Sequence, residues 1–337
     1  MFGRITLCAV LVIAPLCWPA VAANQHDLDD CNSADRERSI AGCTRIVNDI
    51  GETLQDRAVA YNNRGTAWRA KGDLDRAIAD LTDAIQFDPQ YAVAYRNLGQ
   101  AWRAKGNYDR AIAEFTEAIR LDPNNAATLI DRGAALRFKG EFDRAIADFT
   151  ETIRLDPNSI AALMARGGAL RTKREFDRAI ADFTEAIRLD PNSTDAFVSR
   201  GMTWAGKGAL DQGMADYDQA IRLNPNTANA FMNRGNIWRA KGDLDHAIAD
   251  YYEAIRLTPK DGFMIGFAYN NLGTALRAKG DLDRAIAGYS EAIRLFPKNF
   301  VAYMDRGNAW RDKGELDRAI ADYDEAIEIS PKFACLQ

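Results

Sequence analysis

Eight aspartates hold one recurring position: Asp75, Asp109, Asp143, Asp177, Asp211, Asp245, Asp283 and Asp317. Paired carboxylates do acid–base work when their surroundings push their proton affinities apart. Eight equivalent carboxylates offer no such contrast, and negative charge in the first turn of a helix accounts for them. Arg76 with Asp80, and Arg110 with Glu114, stand four apart and are expected as ion pairs on a solvated face. A second basic series runs Arg69, Arg103, Arg137, Arg171, Arg239, Arg277 and Arg311, broken by Ala205. A guanidinium forks onto a carboxylate, so this series suits an acidic partner. It equally suits the negative end of a helix. A third series is apolar. Ile130, Met164, Val198, Met232 and Met304 share one position, with Met202 one turn further on. Methionine fits a pliable binding surface, but packing between neighbouring helices explains the same residues.

Other chemistry lacks its parts. The two histidines, His26 and His246, have no ligand spacing to a cysteine, so no metal site is expected. His246 stands where the other units have arginine and reads as a surface variant. There is no nucleophile elbow, phosphate loop or His–carboxylate constellation. No cofactor and no catalysis are expected.

The elements carrying these series repeat. Glycines recur at 65, 99, 133, 167, 201, 235, 273 and 307, in steps of 34 with one step of 38. Prolines recur in phase at 89, 123, 157, 191, 225, 259, 297 and 331. Two phased ladders of this period mean stacked supersecondary units. In residues 58–91, Tyr61, Gly65 and Trp68 share one helical face. Gly72 breaks that helix, and Asp73 caps the next. Leu74, Ala77, Ile78, Leu81, Ala84 and Ile85 form its apolar stripe, and Pro89 ends the unit. Each unit is therefore two antiparallel helices, with Gly65 and Ala77 small where the two approach. The 38-residue step adds four residues near 260–266, about one helical turn. It predicts a longer first helix carrying Phe263 and Phe267 on one side. Gly201, Gly206, Gly208 and Gly213 make the fifth unit the expected soft point.

Tyr61, Gly65, Trp68, Ala77, Leu81, Ala84 and Pro89 resemble the tetratricopeptide repeat pattern, as do Tyr95, Leu98, Gly99, Trp102, Ala111, Phe115, Ala118 and Pro123. Eight units match over 58–333. Arginine replaces the family's leucine in six units, as at Arg64 and Arg132, and Gly213 replaces the expected alanine. The resemblance implies an all-α, right-handed α-solenoid of eight helix-turn-helix repeats. It also implies that the arginine and methionine series line a concave groove that binds a protein or peptide. The family's best-known carboxylate clamp is not expected, because Asn62, Arg96 and Met232 stand where its lysines belong. Trp68, Trp102, Trp204, Trp238 and Trp310 occupy the family's packing position, so a sugar-stacking role is disfavoured.

The ends differ. Residues 1–22 read as a cleaved secretory signal, with a basic start, a short apolar run and a small-residue cleavage site. Export to the periplasm or medium is expected, with no membrane span afterwards. Residues 23–57 are expected as a capping half-unit, because 38–47 aligns with 76–85 and sets Cys43 where Leu81 sits. In an oxidising compartment Cys31 and Cys43 are expected to pair, leaving Cys335 free in the tail, residues 334–337. The final unit lacks a covering helix, which suggests self-association. A net charge of −5 with no long basic run does not favour nucleic acid. The expected function is a non-enzymatic interaction scaffold. The alternative is an adaptor of an envelope, polysaccharide or cell-wall machine whose partner carries the chemistry.

Overall fold

In seven repeats a glycine on the first helix leaves room for a bulky side chain of the second. A Cβ on Gly99 would stand 2.6 Å from the ring of Phe115, and one on Gly307 2.6 Å from Tyr323. The computed structural model describes residues 25–258 and 262–331, all helical apart from turns and loops. The chain divides into two compact units, residues 1–139 and 140–337.

The first unit opens with α1 (Gln25–Cys31) and α2 (Arg36–Asn48). It continues with α3 (Leu54–Lys71), α4 (Leu74–Phe87), α5 (Ala92–Ala104), α6 (Tyr108–Leu121) and α7 (Ala126–Phe138). The expected half-unit is thus a hairpin with a short first helix, and a Cys31–Cys43 disulfide joins its two helices. The second unit begins with α8 (Phe142–Leu155), α9 (Ile160–Thr172), α10 (Phe176–Leu189) and α11 (Thr194–Lys207). Next come α12 (Leu210–Leu223), α13 (Ala228–Ala240), α14 (Leu244–Leu257) and α15 (Gly262–Ala278). α16 (Leu282–Leu295), α17 (Phe300–Asp312) and α18 (Leu316–Ile329) close it. The sixteen helices α3–α18 are the pairs that the glycine and proline ladders require. α15 spans 17 residues against 13 for α13 and α17, the extra turn read from the sequence. Residues 1–24, with the signal reading, and Cys335 lie outside the described residues, as does the Phe263 side chain. Phe267 is exposed.

Turn chemistry follows the repeat. Gly72 ends α3 at φ 85°, where a Cβ would be strained, and the fourth repeat has Arg174 there at φ 63°. Asp73 accepts from the Arg76 N–H as expected. Inside each unit, first helices approach first helices, as α3 does α5 and α11 does α13. No pair of second helices comes that close among the described residues. The first helices therefore line the tighter side of each stack.

An arginine fork fastens the repeats. Arg166 on α9 binds both oxygens of Asp182 on α10, at 2.9 and 2.7 Å, and reaches Thr150 on α8 at 3.1 Å. Arg64, Arg200, Arg234 and Arg306 do the same with Asp80, Asp216, Asp250 and Asp322. This replaces the expected surface pair: Asp80 is buried, and Arg76 instead lies over the Trp68 ring. Arg110 likewise lies over Trp102. Two repeats have leucine in place of the forked arginine, at Leu98 and Leu272, both buried. There the aspartate is also gone, replaced by Glu114 and Gly288. Without its arginine, Glu114 is pushed up by burial, the neighbouring Glu117 adding to the effect. Fork and acid thus change together, since a buried carboxylate without its cation is costly.

The aspartate series is also structural. Asp75 pairs with Lys105 and Asp177 with Lys207, each at 2.5 Å, tying one repeat to the next. These acids are mostly exposed, so each tie contributes little. Of the four glycines in the fifth repeat, Gly201 recurs in all eight repeats and Gly208 in all but the fourth. Gly213 is compensated: Ile237 Cδ1 stands 3.2 Å from where its Cβ would be, and most repeats have alanine in both places. The glycine count therefore overstates the softness of this repeat.

Candidate binding face of the first helices

The arginine series stands in the last turn of every repeat's first helix but the fifth, and its members meet different neighbours. In the first unit, Arg96 Nε reaches Asp131 Oδ2 at 2.8 Å and Gln100 Nε2 reaches the same oxygen at 2.7 Å. Arg103 Nη1 lies 3.4 Å from Asp131 Oδ1. Arg69 stands beside them, and its buried Nε has no hydrogen-bond partner. Burial pushes the Arg69 guanidinium below its usual range, Arg103 and Arg96 adding repulsion against the pull of Asp131. Three cations therefore share one buried carboxylate.

The second unit builds the same positions with other residues. Asp305 takes the place of Asp131, and Asn270 that of Arg96. Asn270 Nδ2 donates to Asp305 Oδ2 at 3.0 Å, while its buried Oδ1 has no partner. Arg277 turns away to Asp312 at 2.7 Å, and Arg311 lies 3.6 Å from that aspartate. Burial raises the Asp305 carboxyl above its ordinary range, although Asn270, Arg277 and Arg239 pull it down. Of the remaining series members, Arg137 lies over the Phe138 ring. Arg171 Nη1 lies 3.3 Å from Met202 Sδ.

The apolar series is mostly not an open stripe. Val198 is buried among Phe197, Tyr217 and Ile237, which removes it from the binding set. Met164 is half-buried and packs on two core clusters, one with Leu170 and Phe183 and one with Leu163 and Ala186. Ile130, Met232 and Met304 are half-buried, and only Met202 is exposed. The reason is the close approach of first helices, which encloses residues lying between them.

Several contacts were hidden from the sequence. Asn97 donates to Asn62 at 2.8 Å, Asn62 to Asn63 at 3.1 Å and Asn63 to Asn32 at 3.0 Å, a polar chain crossing three repeats' worth of helices. Tyr251, Tyr289 and Tyr323 each donate to a polar residue on their own first helix: Asn236, Thr274 and Asn308. The signal was a recurrence at 15 residues' separation. The tryptophans are packed and covered by cations, Arg318 over Trp310 for instance, and His246 stacks on Trp238 in that role. In the cap, His26, Asp27 and Asp30 converge. Arg38 and Arg45 hold these carboxylates, and the Arg38 hydrogen bond, foremost, keeps Asp30 below its usual range. No helix among the described residues is long and apolar enough to cross a membrane.

The comparisons agree with this geometry. The tetratricopeptide repeat profile matches residues 62–126, 130–194, 205–262 and 270–332. A solved tetratricopeptide repeat protein from Parabacteroides merdae is 19% identical, with a TM-score of 0.62 over 78% of this chain and 98% of its own. PilF from Pseudomonas aeruginosa is 20% identical, with a TM-score of 0.52 over 61% of this chain and 94% of its own. YrrB, described as a tetratricopeptide protein with an unusual peptide-binding site, is 24% identical, with a TM-score of 0.50 over 59% and 97%. No curated protein matches the chain.

Proposed function

Since the chain belongs to the tetratricopeptide repeat family, we propose that it is an exported, non-enzymatic scaffold holding an acidic peptide segment of a partner protein on its first-helix face. The observation that carries this reading is the unbalanced charge around Asp131. Arg69, Arg96 and Arg103 face one carboxylate, and Arg69 Nε lacks a partner. A partner's carboxylate would supply the missing acceptor in a half-buried site, where charge-assisted hydrogen bonds are strong. Export is supported by the signal-like N-terminus and by the buried disulfide of the cap. Self-association rests on α18, which leaves Leu316 and Ile320 exposed; sedimentation that stays monomeric at high concentration would remove that part.

The test is fluorescence anisotropy with a labelled hexaglutamate peptide against the full chain. Binding should weaken as salt rises, and a hexaserine peptide should not bind. Equal binding of both peptides, or none of either, overturns the proposal.

A further inference from the structure

The arginine series fails once, at Ala205, and a cavity of about 230 Å³ opens there. Met202, Ala205 and Ile237 wall it, with Tyr217, Asn233 and Asn236 supplying polar atoms. A second departure coincides with the first. Tyrosines 251, 289 and 323 each find a hydrogen-bond partner on their own first helix, at positions 236, 274 and 308. In the fifth repeat that position is Met202, whose thioether is a much poorer acceptor than an amide or hydroxyl oxygen, and Tyr217 borders the cavity. Burial holds that hydroxyl well above the ordinary phenol range, so it stays a neutral donor.

The size selects the occupant. Ligand pockets for whole small molecules run from about 300 to 1,000 Å³, so this space suits one side chain. The Tyr217 side chain and the Asn233 and Asn236 amides on its wall favour an occupant that carries a polar atom as well as apolar surface. The Met202 sulfur favours an aromatic ring, and the Arg171 guanidinium 3.3 Å from it favours a ring face and acidic neighbours.

We propose that this cavity receives a tyrosine side chain from the bound acidic segment, its hydroxyl meeting that of Tyr217. The proposal deepens the scaffold reading and rests on it. The missing arginine is what makes the seat: the long side chain present in the other repeats would fill it.

The test uses uncharged probes, so it is independent of the arginine cluster. The full chain is titrated with p-cresol and with toluene while the methyl NMR signals of Met202 and Ile237 are followed. p-Cresol should shift both signals, and toluene should bind about threefold more weakly. Ala205→Arg should abolish p-cresol binding, with Ala205→Met as the replacement if the arginine variant fails to fold. Tyr217→Phe keeps the ring that packs on Gly201 and should make the two probes bind alike. No shift with p-cresol, undiminished binding in the filled variant, or tighter binding of toluene each overturns the proposal. Hexaglutamate binding that persists through such a failure leaves the scaffold reading standing; its loss alone leaves the cavity standing.

Discussion

The Asp131 and Asp305 clusters occupy the same positions in their repeats but differ around the acid: Arg96, Gln100 and Phe138 of the first stand where the second has Asn270, Thr274 and Asp312. Arg96 beside Asp131 becomes Asn270 beside Asp305. With the arginine, a buried acid is neutralised and cations are left over. With the amide, the acid is underpaid in charge: its carboxyl titrates high and the Asn270 Oδ1 is orphaned. One site is short of anion and the other short of cation. The same positions therefore hold surplus positive charge in the first unit and a poorly neutralised acid in the second.

The largest test separates the two clusters by binding. Arg69→Ala with Arg103→Ala should weaken hexaglutamate by about a hundredfold, the loss of two charge-assisted contacts of about 1.5 kcal/mol each. The paired change Arg239→Ala with Arg277→Ala should alter it less than about threefold, as expected of rim charges. Equal losses in the two variants would erase the distinction.

A smaller effect concerns stability. Asp131→Asn leaves Arg96 and Arg103 without a counter-charge and should destabilise the α5–α7 region by about 2 kcal/mol, read by hydrogen exchange. The same change should tighten hexaglutamate severalfold, because the inner carboxylate no longer competes. Weaker peptide binding would show that Asp131 shapes the site rather than occupying it.

The smallest effect has the opposite sign. A buried acid whose folded pKa is raised holds its proton longer in the native chain. Stability then falls as pH climbs from the unfolded carboxylate value, about 4, through the folded one. Asp305→Asn removes that loss. It should stabilise the second unit by about 1 kcal/mol or less at pH 7, with no gain below about pH 4. Destabilisation at pH 7 would mean that the arginines satisfy Asp305 after all.

Much of the fold was legible because it depends on residues that must recur. Gly65, Ala77 and Pro89 announce close approach and chain reversal wherever they stand, and Cys31 with Cys43 announced the cap. The arginine forks were not legible, because Arg76 sits four residues from Asp80 and offers a simpler pairing than Arg64, sixteen away. The candidate face was legible only in part. Contacts such as Arg96 with Asp131 link positions 35 residues apart, and their meaning depends on how closely first helices approach. That approach also buried Val198 and half-buried Met164, whose sequence positions are indistinguishable from that of a groove residue.

The exchange of bulk between Gly213 and Ile237 makes one joint unlike the others. Near-identical stretches such as residues 68–80 and 238–250 invite duplication or loss of whole repeats during replication. Most joints would accept a foreign neighbour, because alanine meets alanine across them. Removing the sixth repeat would set Ala275 against Gly213 in place of Ile237 and leave a void of isoleucine size. Voids of that kind cost about 2–5 kcal/mol. Loss of the sixth repeat alone should therefore destabilise the chain, whereas loss of the fifth and sixth together would remove both halves of the exchange and the cavity they share.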